Sequence, residues 1–124
     1  MKKYICNPMN LSYKYQRERR GDRDLLFREA ADPTMIRWKD RYLLFPSMSA
    51  GFWYSENLAE WTYVDRRDAL PVFDYAPDVT VIGEWLYFCA SRKEKGTLYR
   101  TKDPFLETFE AIEEPFAFWD PALV

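Results

Sequence analysis

Three of the aspartates that adjoin a proline recur at a nearly even interval, in a chain that has no histidine. They are Asp32 in "ADPTMIRW", Asp78 in "YAPDVTVI" and Asp120 in "WDPALV". Without histidine there is no Ser-His-Asp or Cys-His nucleophile and no His-ligated zinc. Acid/base chemistry must then run on carboxylates, tyrosines or lysines. A single Asp next to Pro is ordinary turn chemistry. Here Asp78 follows Asp32 by 46 residues and Asp120 follows Asp78 by 42, so the feature recurs at a nearly even interval. Brought to one mouth of a fold, three such carboxylates repel one another, a setting for acid/base chemistry rather than a stability device.

The elements that must position them are short strands. "TMIRW" (34–38), "RYLLFPS" (41–47), "GFWYS" (51–55) and "WTYVD" (61–65) are aromatic and branched runs separated by polar turns. After "RRDALPVFDY" the order returns as "VTVI" (79–82), "EWLYFCAS" (84–91), "GTLYRT" (96–101) and "TFEAI" (108–112). Sustained helical periodicity is absent. Overlaying the sets pairs Asp32 with Asp78, Gly51 with Gly96 and Tyr54 with Tyr99, and a third repeat begins at Asp120. Four short strands every 42 to 46 residues is the arithmetic of a β-propeller blade. The expected fold is all-β, a partial five-bladed β-propeller with about two four-stranded blades and the first strand of a third. One incomplete domain, 1–124, divides into an N-terminal segment (1–30), a first blade (31–75), a second (76–117) and the start of a third (118–124). The first strand of each blade lines the axis, which explains why its opening aspartates would converge.

Composition narrows the function. The 124 residues are 48% hydrophobic and 31% charged, as in globular proteins. Eighteen basic residues are interleaved with 20 acidic ones, so the basic stripe of a nucleic-acid binder is missing. The densest run, "RERRGDRD" (17–24), reads as a solvated loop. Cys6 and Cys89 have no C-x-x-C spacing and read as reduced and buried. The opening "MKKYICNPMNLSYKYQ" breaks its apolar run before a signal-peptide core forms, and no stretch reaches membrane-spanning length. A cytoplasmic location follows by default, with no membrane partner. The 19% aromatic content suits both strands and sugar-stacking surfaces. Trp38, Trp61 and Trp85 follow strand spacing and read as packing residues. Trp53, Tyr75, Phe118 and Trp119 are the candidates for platforms near a channel mouth.

At these motifs the sequence resembles glycoside hydrolase family 43, five-bladed propeller enzymes acting on arabinose- and xylose-containing glycans. "ADPTMIRWKDRYLLFPS" resembles the family's first-blade motif, and "YAPDVTVIGEWLYFCAS" its second, with Tyr75 where Trp is usual. "FWDPALV" is similar to the third-blade motif, "SENLAEW" (55–61) to an outer-strand phrase, and "NPMNLSYKYQ" to the start of compact members. The resemblance implies that Asp32 is the general base and Asp120 the pKa modulator that tunes and orients the acid. Asp78, Tyr75, Trp119, Trp53 and Phe118 would contact substrate. The implied reaction is hydrolysis with inversion, and the implied partner is a pentose-containing oligosaccharide or glycan. No cofactor is implied. Some members hold an axial calcium near a histidine, which leaves calcium as the one metal alternative.

In that family the general acid is a fourth-blade Glu, and no Glu here occupies its position. Glu29, Glu84, Glu113 and Glu114 read as solvent-facing. The chain stops at Val124, just inside the third repeat, so a truncated and inactive hydrolase is the expectation. Its open blade faces would need the C-terminal blades or self-association to cover them. The alternative is a non-catalytic carbohydrate-binding or protein-interaction propeller fragment.

Overall fold

The computed structural model describes Leu11 and residues 16–20, 22–27, 31–49, 51–66, 75–91, 96–105, 108–114 and 116–124. Over these residues the chain is all-β and contains no helix. The strands are β1 (Gln16–Arg20), β2 (Arg23–Phe27), β3 (Thr34–Trp38), β4 (Arg41–Phe45), β5 (Gly51–Ser55) and β6 (Thr62–Asp65). They continue with β7 (Tyr75–Ile82), β8 (Trp85–Ser91), β9 (Thr97–Thr101) and β10 (Glu110–Glu113). β3 to β6 form one four-stranded antiparallel meander, and β7 to β10 form a second. The eight expected strands are therefore present, with ends shifted by up to two residues except in β7, which starts four residues before the expected 79. β7 takes in Tyr75, so the second sheet begins one residue before the expected boundary at 76.

Two expectations are corrected. The run 17–24 is no loop: β1 and β2 pair antiparallel, with Arg20 opposite Arg23. A Gly-Asp pair between two five-residue runs is a hairpin signal, which the charge alternation obscured. Residues 116–124 form no strand. The Leu123 N–H is donated to a side chain, Asp78 Oδ2, instead of to a backbone ladder.

The core lies between the two sheets. Trp38, Leu43, Phe45 and Phe52 of the first meet Val79, Leu86, Phe88 and Ala90 of the second, with Phe109 alongside. Alternate residues supply it, Leu43 and Phe45 from β4 and Leu86, Phe88 and Ala90 from β8, because side chains alternate faces along a strand. Phe45 stacks on Phe52 at 4.8 Å and meets Phe88 across the gap at 5.8 Å. Phe105, just past β9, sets its ring edge-on to Phe52 and Tyr54. Each fully buried Phe or Leu contributes about 1.5–3 kcal/mol, so this layer is what fixes sheet against sheet. Cys89 is buried and reduced. Among the described residues no helix is long and apolar enough to cross a membrane.

Candidate functional site

The segments entering β3 and β7 and the segment leading to Val124 repeat one backbone feature. Asp32, Ala76 and Asp120 all have positive φ, at 46°, 44° and 44°, and each precedes a proline. Positive φ is uncommon for any residue but glycine, and a following proline restricts the backbone further. The spacing is 44 residues in both intervals. The structural register is therefore Asp-Ala-Asp. This corrects the overlay of Asp32 on Asp78: the true counterpart of Asp32 is Ala76, and Asp78 corresponds to Thr34 and Ala122. Both repeats slip by one residue at this point: Ala31 bonds Ser47 while Thr34 faces Phe45, and Tyr75 faces Ser91 while Asp78 faces Cys89.

Two serines hold these turns. The Ser47 N–H donates to the Ala31 carbonyl at 2.9 Å, and its Oγ accepts the Ala76 N–H at 2.9 Å. Forty-four residues later Ser91 pairs with Tyr75 in the β7–β8 ladder, and its Oγ accepts the Asp120 N–H at 2.7 Å. Each serine thus ties one proline turn to the next. Ser91 does more, since its hydroxyl also lies 3.3 Å from Asp120 Oδ1 and donates to it. Both serines are buried, at 0% and 8% exposure, so their hydroxyls need these partners.

Asp78 is bound from three sides. Its Oδ1 accepts from its neighbour's N–H at Val79, at 3.0 Å, and lies 3.3 Å from the Thr34 hydroxyl. Its Oδ2 accepts the Leu123 N–H. A carboxylate receiving donors from β3, β7 and the 116–124 segment holds those three pieces together. Opposite it, burial pushes the Cys89 thiol from 9.0 up to about 11, and the negative charge of Asp78 adds to the shift.

Asp32 and Asp120 are exposed, and Asp32 has no hydrogen-bond partner among the described residues. Asp32 is open to solvent, whereas Asp120 is anchored by Ser91. Trp119, next to Asp120, is 74% exposed and presents an open indole face. Phe118 is half-buried, tilted edge-on to Phe116 and set over Gly96, where an added Cβ would lie 2.8 Å from its ring. Trp53 is 3% exposed and packed on Tyr63 at 4.8 Å, which leaves no face for a ligand. The Tyr75 side chain, Cys6, Glu29 and most of the opening 7–16 lie outside the described residues.

Trp38 is buried, Trp61 is half-buried, and Trp85 is covered by Arg100 at 4.4 Å and Lys102 at 5.0 Å. Glu84 faces solvent and pairs with Lys102 at 3.5 Å. Glu113 is exposed, whereas Glu114 is half-buried, its N–H donated to the Gly96 carbonyl. Among the described residues no three acidic or cysteine side chains gather as a metal-binding cluster. The residues that sequence reasoning missed are Thr34, Ser47 and Ser91. A signal for the serines was present: "FPS" and "CAS" place a Ser just past β4 and at the end of β8, 44 residues apart.

Compared with known protein families, with proteins of established function and with solved structures, the chain has no match.

Proposed function

We propose that the chain carries the base side of a glycan-hydrolysing site of the glycoside hydrolase family 43 type. In this reading the two sheets are the first two blades of a propeller and 118–124 opens a third. Asp32 is the general base, Asp120 the modulator, and Trp119 the platform on which a pentose ring stacks. The observation that carries it is the 44-residue recurrence of the left-handed turn before proline, with an exposed aspartate at its first and third occurrence. Strained backbone kept at a repeated position, with a carboxylate on it, fits a site better than it fits a stability device.

Inverting hydrolysis needs one carboxylate to deprotonate water and a protonated carboxyl about 6.5–9.5 Å away to protonate the leaving oxygen. Asp32 serves the first step. In this reading the second partner is not among Glu56, Glu84 and Glu110, which pair with Arg41, Lys102 and Arg100 on the surface. Loss of the acid costs about 10²–10⁴ in rate on natural glycans. A 2,4-dinitrophenyl pentoside needs no such proton, because its phenolate departs unaided.

The test uses both substrate types. The chain should bind xylotriose or arabinotriose without cleaving it, and Trp119→Ala should weaken that binding about tenfold. It should slowly release dinitrophenolate from a β-xyloside or α-arabinofuranoside, and Asp32→Asn should abolish the release. Failure to bind either trisaccharide would overturn the sugar site. Binding with no Asp32-dependent release would leave the carbohydrate-binding module, which the exposed Trp119 favours on its own.

A further inference from the structure

We propose that Ser91 is a positioning residue for the Asp120 carboxylate, an inference that rests on Asp120 belonging to the sugar site above. The two serine staples share one half of their geometry and differ in the other. Ser47 Oγ and Ser91 Oγ each accept the N–H of the residue before the next proline, at 2.9 Å and 2.7 Å. At Ala76 the contact ends there, since alanine has nothing more to offer. At Asp120 the same Oγ also donates to Oδ1 at 3.3 Å.

One hydroxyl thus grips both the backbone and the side chain of a single residue. A carboxylate tied by its own N–H and by one oxygen to the same Oγ keeps one χ1 setting, and its second oxygen points away from Ser91. Asp120 is exposed, so water alone would leave its side chain free to sample its rotamers. The buried Ser91, 8% exposed at the end of β8, removes that freedom. A surface aspartate becomes a fixed acceptor because a serine of the preceding sheet holds it. The arrangement also makes Ser47 an internal control, the same staple with no carboxylate to orient.

The experiment compares Ser91→Ala, Ser91→Thr and Ser47→Ala in the full chain. Three quantities are read: the Asp120 side-chain carboxyl ¹³C resonance, hydrogen exchange of the Asp120 amide, and affinity for xylotriose and arabinotriose. Ser91→Ala should displace the carboxyl resonance, speed amide exchange and weaken sugar binding, each of the last two by about tenfold, the worth of one hydrogen bond to a charged group. Ser91→Thr should restore all three. Ser47→Ala should speed exchange at Ala76 and lower stability while the Asp120 resonance stays in place. If Ser91→Ala does not fold, Ser91→Cys keeps the volume with a weakly bonding thiol and gives the same readout. An Asp120 resonance unmoved by loss of the Ser91 hydroxyl, or moved equally by Ser47→Ala, would overturn the assignment. If the resonance moves as expected but the wild-type chain binds neither trisaccharide, the positioning by Ser91 stands and the sugar site falls.

Discussion

The Thr34 hydroxyl lies 2.7 Å from the Pro77 carbonyl, joining β3 to β7 across 43 residues of chain. Its one proton is shared with Asp78 Oδ1, and the other oxygen of that carboxylate holds Leu123. β3 and β7 are thus linked by a polar seam in which Asp78 is the central acceptor. Asp78→Ala leaves the Thr34 hydroxyl and the Val79 and Leu123 N–H groups without this partner. We expect a loss of about 2–3 kcal/mol, read as a lower urea midpoint at unchanged slope. An unchanged midpoint with lost sugar affinity would instead return Asp78 to the site.

Ala76 holds φ at 44° with no side-chain group to compensate, whereas Asp32 and Asp120 are of a residue type that tolerates this region. A left-handed conformation costs a Cβ-bearing residue roughly 1–2 kcal/mol, and glycine avoids that at about 0.5–1 kcal/mol of extra chain entropy. Ala76→Gly should therefore raise stability by up to about 1 kcal/mol, measured by the same urea titration. A loss of stability would mean that the turn is not strained.

The strands were legible because their aromatic and branched runs sit between polar turns, and β3 and β5 fall where those runs do. The register of the repeat was not. Matching Asp to Asp is natural on chemical type, but Pro33, Pro77 and Pro121 are the residues whose fixed φ sets the turn, and they recur every 44 residues. Asp78 occupies the position equivalent to Thr34, two residues past the turn and in the seam. Trp53 reads from the sequence as the more core-like of the two, and Trp119 as the better platform because it adjoins Asp120. Trp53 alternates inside a four-stranded sheet, while Trp119 stands just before the Asp120 turn and outside any ladder. The serines were visible just past β4 and at the end of β8, yet a hydroxyl's partner depends on which chain segment arrives there, and that is decided by how the sheets pack.

Gly96 fastens the segment that leads to Asp120. Its N–H donates to the Phe116 carbonyl at 2.7 Å and its carbonyl accepts from Glu114 at 2.9 Å. A Cβ there would stand 2.8 Å from the Phe118 ring and 2.9 Å from the Phe116 carbonyl oxygen. The ring can turn aside; the carbonyl is backbone and must move with its hydrogen bond. Gly96→Ala should cost about 1–3 kcal/mol, as overpacking does. It should also speed exchange of the Asp120 amide, because Phe118 and Trp119 carry Asp120 with them. Wild-type exchange at Asp120 in a destabilised Gly96→Ala chain would show that the segment is held from elsewhere.

Cys89 supplies a pH signature. Burial raises its thiol from 9.0 to about 11, with the nearby Asp78 charge adding to the effect. The folded chain therefore holds the thiol proton more tightly than the unfolded chain. That stabilisation is fully present below pH 9 and is lost as pH climbs from about 9 to about 11. Two pH units of differential binding correspond to on the order of 2 kcal/mol. Lysines and tyrosines titrate in the same range, so the informative quantity is the difference between parent and Cys89→Ala stability curves, both in a Cys6→Ser background. The two curves should run parallel up to pH 9 and converge above it as the parent alone loses this contribution. Iodoacetamide should label Cys89 at pH 8 only at the rate of unfolding, since the buried thiol is protonated and closed to solvent. Parallel curves through pH 11, or rapid labelling of the native chain, would place Cys89 in contact with water.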